Sequence, residues 1–122
     1  MTSLPAIDAN IAAVQAAGPH SYGEYGFGNP LHRNSALQAQ NNAAACPPPG
    51  PQPPNTNCDE YPFATTQEGA SQTQQPDWGS AWVPVTENSS QGTMVSTFYL
   101  QNRILTAGVG VVTGDAFWVY AV

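Results

Sequence analysis

Two adjacent carboxylates, Asp59 and Glu60, stand out in a chain that has few charged residues. They follow Cys58 and precede Tyr61 and Pro62. Neighbouring carboxylates can share a divalent cation, or one of them can act as a general base beside it. A regular strand would direct the two side chains to opposite faces, so a single site requires a turn or bulge here. The alternative interpretation is a pair of solvated loop acids, which is the commoner fate of an Asp-Glu pair.

Further polar residues could join these acids from two later segments. Glu68 follows after a short loop, and Glu87, Asn88 and Gln91 lie where a helix is predicted to begin. A helix N-terminus favours anions such as phosphate. Asn88 and Gln91 are three positions apart and would share one helix face. Helix capping also explains Asn88 well, but it explains Gln91 poorly.

The charge balance limits how the chain could hold a polyanion. There is no Lys, the only Arg residues are Arg33 and Arg103, and the formal net charge is -6. Non-specific nucleic-acid affinity comes mainly from Lys and Arg, so tight phosphate binding by side chains is disfavoured. A divalent cation could instead bridge carboxylates to a phosphate. Arg103 is a candidate phosphate clamp or an ordinary charge at a helix C-terminus, and Arg33 and His32 could contact DNA or simply pack.

The two cysteines, Cys46 and Cys58, flank a Pro-rich stretch. A disulfide closing this loop would contribute about 3 kcal/mol in the chain-entropy model. Two buried free thiols are the alternative, but the turn-like surroundings are poor for burial and favour the disulfide. Residues 47–54 (PPPGPQPP) can be neither helix nor central strand. They are interpreted either as a loop closed by the disulfide or as an SH3 or WW ligand.

The elements that must position these residues follow from periodicity and from helix-breaking residues. The pattern predicts helices over 7–17 and 34–45 and a third from about residue 87 to 105. Strands are predicted over 61–66, 80–85 and 116–121, the last being central because both its faces are apolar. This order predicts an α+β fold, a small mixed domain with a few antiparallel strands. We expect residues 1–27 to form an N-terminal helix and an aromatic, Gly-rich loop, and 28–122 to form the main part of one compact domain.

Neither a membrane span nor a signal peptide is visible in the sequence. No stretch approaches the roughly 20 apolar residues that a span requires, so no membrane partner is expected. Met1 to Ile11 lack a basic region and an apolar run. For a secreted protein, this start implies a trimmed chain or a domain cut from a longer one.

Three stretches of the chain resemble the NucA/NucB deoxyribonucleases. They are residues 58–70 (CDEYPFATTQEGA), residues 83–99 (VPVTENSSQGTMVSTFY) and the ending, NRIL followed by GDAFWV. The resemblance covers roughly residues 28 to 122. Members of this family are small extracellular bacterial nucleases that cut DNA without sequence preference and use a divalent metal. The resemblance therefore implies a secreted, metal-dependent deoxyribonuclease or a delivered toxin domain.

The family motifs imply roles for individual residues. The motif Asp-x-Asp-Glu-Trp/Tyr-Pro falls on residues 57–62 with Asn57 in place of the first Asp. The motif Asp-Asn-Arg-Gly falls on residues 87–90, where Ser89 replaces the Arg and removes a phosphate contact. The family is considered akin to ββα-metal nucleases, in which a hairpin supplies a general base and a helix supplies an Asn metal ligand.

By this resemblance, Glu60 is the general base, and Asp59, Asn88 and Glu87 hold or support Mg²⁺ or Mn²⁺. The residues assigned to substrate contact are Gln91, Arg103 and Glu68.

These observations predict a monomeric, metal-dependent, sequence-non-specific endonuclease that acts on DNA, with an inhibitor (immunity) protein as a further candidate partner. A non-catalytic secreted binding domain on the same fold is the first alternative, because the motif Arg is missing and cations are few. A structural or interaction module is the second, using the aromatic surfaces around residues 22–27 and 78–82.

Overall fold

A computed structural model describes residues 3–108 and 113–121. The elements in chain order are α1 (Pro5–Ala17), β1 (Leu31–His32), a short 3-10 turn (Ser35–Leu37), α2 (Gln38–Ala45), β2 (Thr56–Tyr61), β3 (Gly79–Pro84), α3 (Val85–Gln101) and β4 (Ala116–Phe117). Helices together with antiparallel strand pairs make an α+β domain, which confirms the predicted fold class. No helix in the described ranges combines the length and apolar character needed to cross a membrane.

The strands form two separate antiparallel pairs. β2 pairs with β3 in an unbroken register from Thr56 opposite Pro84 to Tyr61 opposite Gly79. β1 pairs with β4, with Leu31 opposite Phe117. In the described part of the chain each sheet therefore has two strands, and one edge of β2 has no strand beside it.

The first helix supplies much of the core. Pro5 occupies its first turn, where the missing N–H costs nothing, and the helix ends before Gly18. Ile7, Ile11 and Val14 recur at helical spacing and are buried. They pack into one cluster whose other buried members are Leu4, Leu31, Tyr61, Val83, Tyr99 and Phe117.

The β2–β3 pair leads directly into the third helix. α3 begins at Val85, the residue after β3 ends. Because β3 runs antiparallel to β2, the first turn of α3 lies near the start of β2, where Asn57 is opposite Val83. This chain path brings the N-terminal half of α3 beside the strand that carries the two acids.

Several predicted boundaries are wrong. The strand predicted over 61–66 is β2 at Thr56–Tyr61, because Pro62 has no N–H to continue the ladder. The strand predicted as central over 116–121 is only Ala116–Phe117 and pairs with β1 alone among the described strands. Its apolar residues do not all face a core, since Tyr120 is 84% exposed.

Candidate functional site

A cleft of about 670 Å³ lies between α2 and α3, along the free edge of β2. β2 contributes residues 57–60 to it. α3 contributes one face, which runs from Asn88 to Tyr99. α2 and the segment that follows β2 close the remaining sides. The strand and the helix that sequence motifs singled out therefore border the same space.

Asp59 and Glu60 both line this cleft, although they are successive residues of a regular strand. The turn or bulge predicted between them is wrong, because the ladder continues through Asp59 opposite Ala81 and Glu60 opposite Ser80. Side chains from both faces of a strand can border a cleft that opens at its free edge. The unpaired edge of β2 lets both residues border the cleft, although the Asp59 carboxyl meets α1 and the Glu60 carboxyl meets α2.

The carboxyl of Asp59 is 4% exposed and faces α1. The side-chain amide of Asn10 donates to its Oδ2 at 3.2 Å. Burial raises the pKa of Asp59 to about 6, and this rise is opposed by the Asn10 hydrogen bond and increased by the negative charge of Glu87. Asp59 and Glu87 contact the same helix, because Asn10 of α1 donates to Asp59 and Ala6 of α1 donates to Glu87.

The carboxyl of Glu60 lies against α2 and the disulfide. Burial raises its pKa to about 7, and the neighbouring charge of Asp59 adds to the rise. Its Oε2 lies 3.3 Å from the Sγ of Cys46. The side-chain amide of Asn42 lies against both carboxylate oxygens, and with its nitrogen turned toward them it donates to Oε1 and, at 3.1 Å, to Oε2. A carboxyl held in place with a pKa near neutrality has the properties of a general base.

The predicted disulfide between Cys46 and Cys58 is present, with a Cα–Cα distance of 6.0 Å. It ties the end of α2 to β2 directly before Asp59. Among the described residues, the one group of three potential metal ligands of the His, Cys, Asp and Glu types is Cys46, Cys58 and Glu60. Disulfide sulfurs are not thiolates, so this group does not make a three-ligand site.

Other side chains of the cleft carry the donor types that a hard divalent cation takes. The carboxylates of Asp59 and Glu60 and the side-chain oxygen of Asn88 are the oxygen ligands that Mg²⁺ and Mn²⁺ prefer. Mg²⁺ commonly uses one or two carboxylates and keeps several waters. Neither Asp59 nor Glu60 has a cationic partner among the described residues, because the ion pairs there are His20–Asp77 and His32–Glu68. A bound cation would offset the cost of burying these two charges together.

Two other acids predicted for the site have partners elsewhere. Glu87 Oε1 accepts hydrogen bonds from the backbone N–H of Ala6 at 2.9 Å and of Ile7 at 3.3 Å, so Glu87 caps α1. Glu68 accepts from the backbone N–H of His32 at 2.7 Å and lies 2.8 Å from its Nδ1. Neither residue is part of the cleft lining. Sequence spacing could not reveal these partners because they come from distant parts of the chain.

The remaining predicted contact residues separate into two groups. Asn88 and Gln91 line the cleft on the α3 side, as their shared helix face predicted. Arg103 follows the end of α3, is exposed, and does not line the cleft. The other arginine, Arg33, does line it. From the sequence, Arg33 could either contact DNA or simply pack.

Two amides that support the acids gave no recognisable signal in the sequence. Asn10 lies on α1 and Asn42 on α2, both in Ala-rich helical stretches. Nothing in their spacing relates them to Asp59 or Glu60. Only the packing of α1 and α2 against β2 brings them to the carboxylates.

A family model described as Deoxyribonuclease NucA/NucB matches residues 14–113. The matched span includes β2, β3, α3 and every cleft residue described above. No curated protein and no solved structure showed significant similarity to the chain.

Proposed function

The chain belongs to the NucA/NucB deoxyribonuclease family, and from this premise we propose that it hydrolyses DNA phosphodiester bonds without sequence preference, with Glu60 as general base and a divalent metal as cofactor. The observation that carries the proposal is the burial of Glu60 beside Asp59 in the cleft, with a pKa near 7. A carboxyl with this pKa is partly deprotonated at neutral pH and basic enough to take a proton from water.

In this mechanism Glu60 accepts the proton of the attacking water, while Asn42 holds the carboxylate in place through its side-chain amide. Asp59, steadied by Asn10, and Asn88 would hold the cation. The cation, when bound, supplies charge neutralisation at the reacting phosphate. Gln91 lies on the same face of α3 as Asn88 and is proposed to contact the substrate. Glu68, Glu87 and Arg103 have no part in this mechanism, because none of them lines the cleft.

The disulfide supports an extracellular location. Disulfides persist in oxidising compartments and are rare in the cytosol. The Cys46–Cys58 bond adjoins the proposed base, so an oxidising environment would preserve the site as well as the fold. Together with membership of a family of extracellular nucleases, this makes secretion part of the proposal.

A plasmid-nicking assay tests the function. We expect supercoiled DNA to be nicked with Mg²⁺ or Mn²⁺ and to stay intact with EDTA. Glu60→Gln should lower the rate by about 10²- to 10⁴-fold, the usual contribution of a general base. Glu24→Gln is the matched control, because Glu24 lies in the loop after α1 and does not line the cleft.

The outcomes separate the proposal from its alternative. Cleavage that persists in EDTA would reject the metal, and full activity of Glu60→Gln would reject the assigned base. No cleavage with Mg²⁺, Mn²⁺, Ca²⁺ or Ni²⁺ would favour a non-catalytic binding domain, for which the replacement of the motif Arg by Ser89 is the supporting observation.

A further inference from the structure

We propose that Arg33 is the phosphate-binding residue of the cleft and that it contacts a phosphate flanking the scissile one, so that the cleft binds several nucleotides of a strand. The inference rests on the proposed function, since it concerns the substrate of the same cleft. It reassigns to Arg33 the phosphate contact that the sequence suggested for Arg103.

The guanidinium of Arg33 is held in a fixed orientation. Its Nη1 donates to the backbone oxygen of Ile104 at 2.6 Å, and its Nε donates to the Oγ of Ser35 at 3.2 Å. The group lies 4.4 Å from the centre of the Tyr99 ring. Tyr99 is fixed in turn, because its hydroxyl lies 2.8 Å from the Oγ1 of Thr65. A guanidinium oriented in this way loses little conformational entropy on binding an anion.

The positive charge of Arg33 is not neutralised by a protein carboxylate within the ranges described. The ion pairs found there involve histidines only. Its Nη2 nitrogen has no protein acceptor among those residues. Arginine presents its N–H groups in a planar fork that matches phosphate oxygens, so an unpaired guanidinium lining an otherwise acidic cleft is suited to a phosphate.

The position of Arg33 separates it from the acids. Asn88 and Tyr99 mark the two ends of the α3 face that lines the cleft. Their spacing along the helix axis is about 16 Å at 1.5 Å per residue. Asp59 lies towards the Asn88 end, because its partner Asn10 is one turn along α1 from Ala6, which donates to Glu87. Arg33 lies over Tyr99 at the opposite end.

This separation decides which phosphate Arg33 reaches. The rise along one strand of B-DNA is about 3.4 Å per nucleotide, several times less than the distance between the cleft ends. Glu60 meets Asn42 of α2, whereas Arg33 donates to Ser35 in the turn that precedes α2. We therefore place the phosphate bound by Arg33 further along the strand than the phosphate attacked beside Glu60. The remote contact supplies binding energy that orients the strand for reaction at the acidic end.

Oligonucleotides with neutral methylphosphonate linkages test this contact directly. Two substrates are compared: one with phosphodiesters throughout, and one in which only a single central linkage is a cleavable phosphodiester. For the unchanged protein, we expect neutral flanks to lower kcat/KM by about 10- to 100-fold, the effect of losing one charged hydrogen bond. Arg33→Gln should lower kcat/KM on the all-phosphate substrate by a similar factor. For this variant, kcat/KM should be the same on both substrates.

Two variants exclude trivial explanations. Arg103→Gln removes the same charge from outside the cleft, so it should retain the full sensitivity to neutral flanks. Arg33→Lys keeps the charge without the fork and should retain part of that sensitivity, while thermal melts verify that each variant is folded. For Arg33→Gln, the slope of log affinity against log salt should fall by about one.

Specific results would overturn the inference. The first is an unchanged protein whose kcat/KM is the same with and without neutral flanks. The second is an Arg33→Gln variant whose kcat/KM falls as much with neutral flanks as that of the unchanged protein. The third is an Arg103→Gln variant that loses as much kcat/KM as Arg33→Gln. A failure of the proposed function is distinguishable, because binding of the same oligonucleotides can be measured by fluorescence anisotropy in EDTA. Binding that depends on Arg33 and on flanking charge, without cleavage in any metal, would reject the nuclease activity and retain the phosphate contact.

Discussion

The carboxylate of Glu87 accepts a hydrogen bond of 2.9 Å from the backbone N–H of Ala6, which lies 81 positions earlier in the chain. This bond joins the first turn of α3 to the first turn of α1. It satisfies an amide that the helix itself leaves unpaired and places a negative charge at the positive end of the α1 dipole. A residue whose motif position suggested metal binding thus fastens two helices together.

Replacement of Glu87 should therefore affect stability more than catalysis. Glu87→Ala removes the cap and should lower the free energy of unfolding by about 1–2 kcal/mol, as measured by urea denaturation. The folded variant should still nick plasmid in the presence of metal. Glu24→Ala provides the comparison for loss of a carboxyl that caps no helix. A stable but inactive Glu87→Ala protein would instead return Glu87 to the metal site.

The two cleft acids should make the metal-free protein less stable as the pH rises. Their pKa values in the folded state, about 6 for Asp59 and about 7 for Glu60, exceed the ordinary values of 3.8 and 4.5. The folded state therefore binds protons more tightly than the unfolded state, and this contribution is complete below about pH 4 and lost as the pH passes 6 to 7. We expect Glu60→Gln to melt at a higher temperature than the unchanged protein at pH 8 in EDTA, with the difference disappearing at pH 4. The same melting temperatures at pH 8 would contradict this.

A divalent cation should reverse that loss of stability. At pH 8, addition of Mn²⁺ to the metal-free protein should raise the melting temperature, because the cation binds the folded state with its acids deprotonated. The gain is about 2.7 kcal/mol when the free cation is at a hundredfold its Kd. Glu60→Gln should show a much smaller shift, whereas Glu24→Gln should respond fully. An equal shift in all three proteins would mean that the cation binds elsewhere.

Reduction of the Cys46–Cys58 disulfide should destabilise the fold. In the chain-entropy model a loop of this size contributes about 3 kcal/mol. Dithiothreitol should therefore lower the melting temperature, and a double variant with Ala at both positions should melt at that lower temperature with or without the reagent. An unchanged melt in dithiothreitol would refute the prediction.

Loss of the buried amide of Asn41 should also lower the free energy of unfolding. Asn41 is fully buried, and its Nδ2 donates to the backbone oxygens of Ala64 at 2.7 Å and Thr66 at 3.0 Å. These bonds hold the segment after β2 that closes one side of the cleft. Asn41→Ala leaves both oxygens without this donor and should cost about 2–4 kcal/mol of unfolding free energy. The exposed neighbour Gln40→Ala should change it by less than about 0.5 kcal/mol.

The sequence predicted those parts of the fold that local patterns control. Apolar spacing and the Gly18-Pro19 breaker located α1, and the residues around Asn88 located the beginning of α3 to within a few positions. The sequence does not locate β2, because its strand residues are polar and Pro62 is compatible with an edge strand or a strand start as well as with a strand end. Binary patterning cannot identify a strand whose side chains line a polar cleft.

Cleft residues that belong to sequence motifs could be predicted. Cleft residues that only tertiary contacts bring into place could not. Asp59, Glu60, Asn88 and Gln91 could all be named from the sequence, and the structure brings them to one cleft. The sequence analysis assigned the substrate contact to Arg103 and left Arg33 open, because no local pattern shows which arginine faces the cleft. Only its long-range contacts with Ile104 and Tyr99 bring Arg33 to the cleft.

The buried face of α1 has a practical consequence for anyone who shortens this protein. The family match begins at residue 14, inside α1, after Leu4, Ile7 and Ile11 have already entered the core. A recombinant fragment cut to the limits of the match would present Val83 and Tyr61 to water and leave Glu87 and Asp59 without the groups that α1 provides. Such a fragment should aggregate on expression even though every cleft residue is encoded in it.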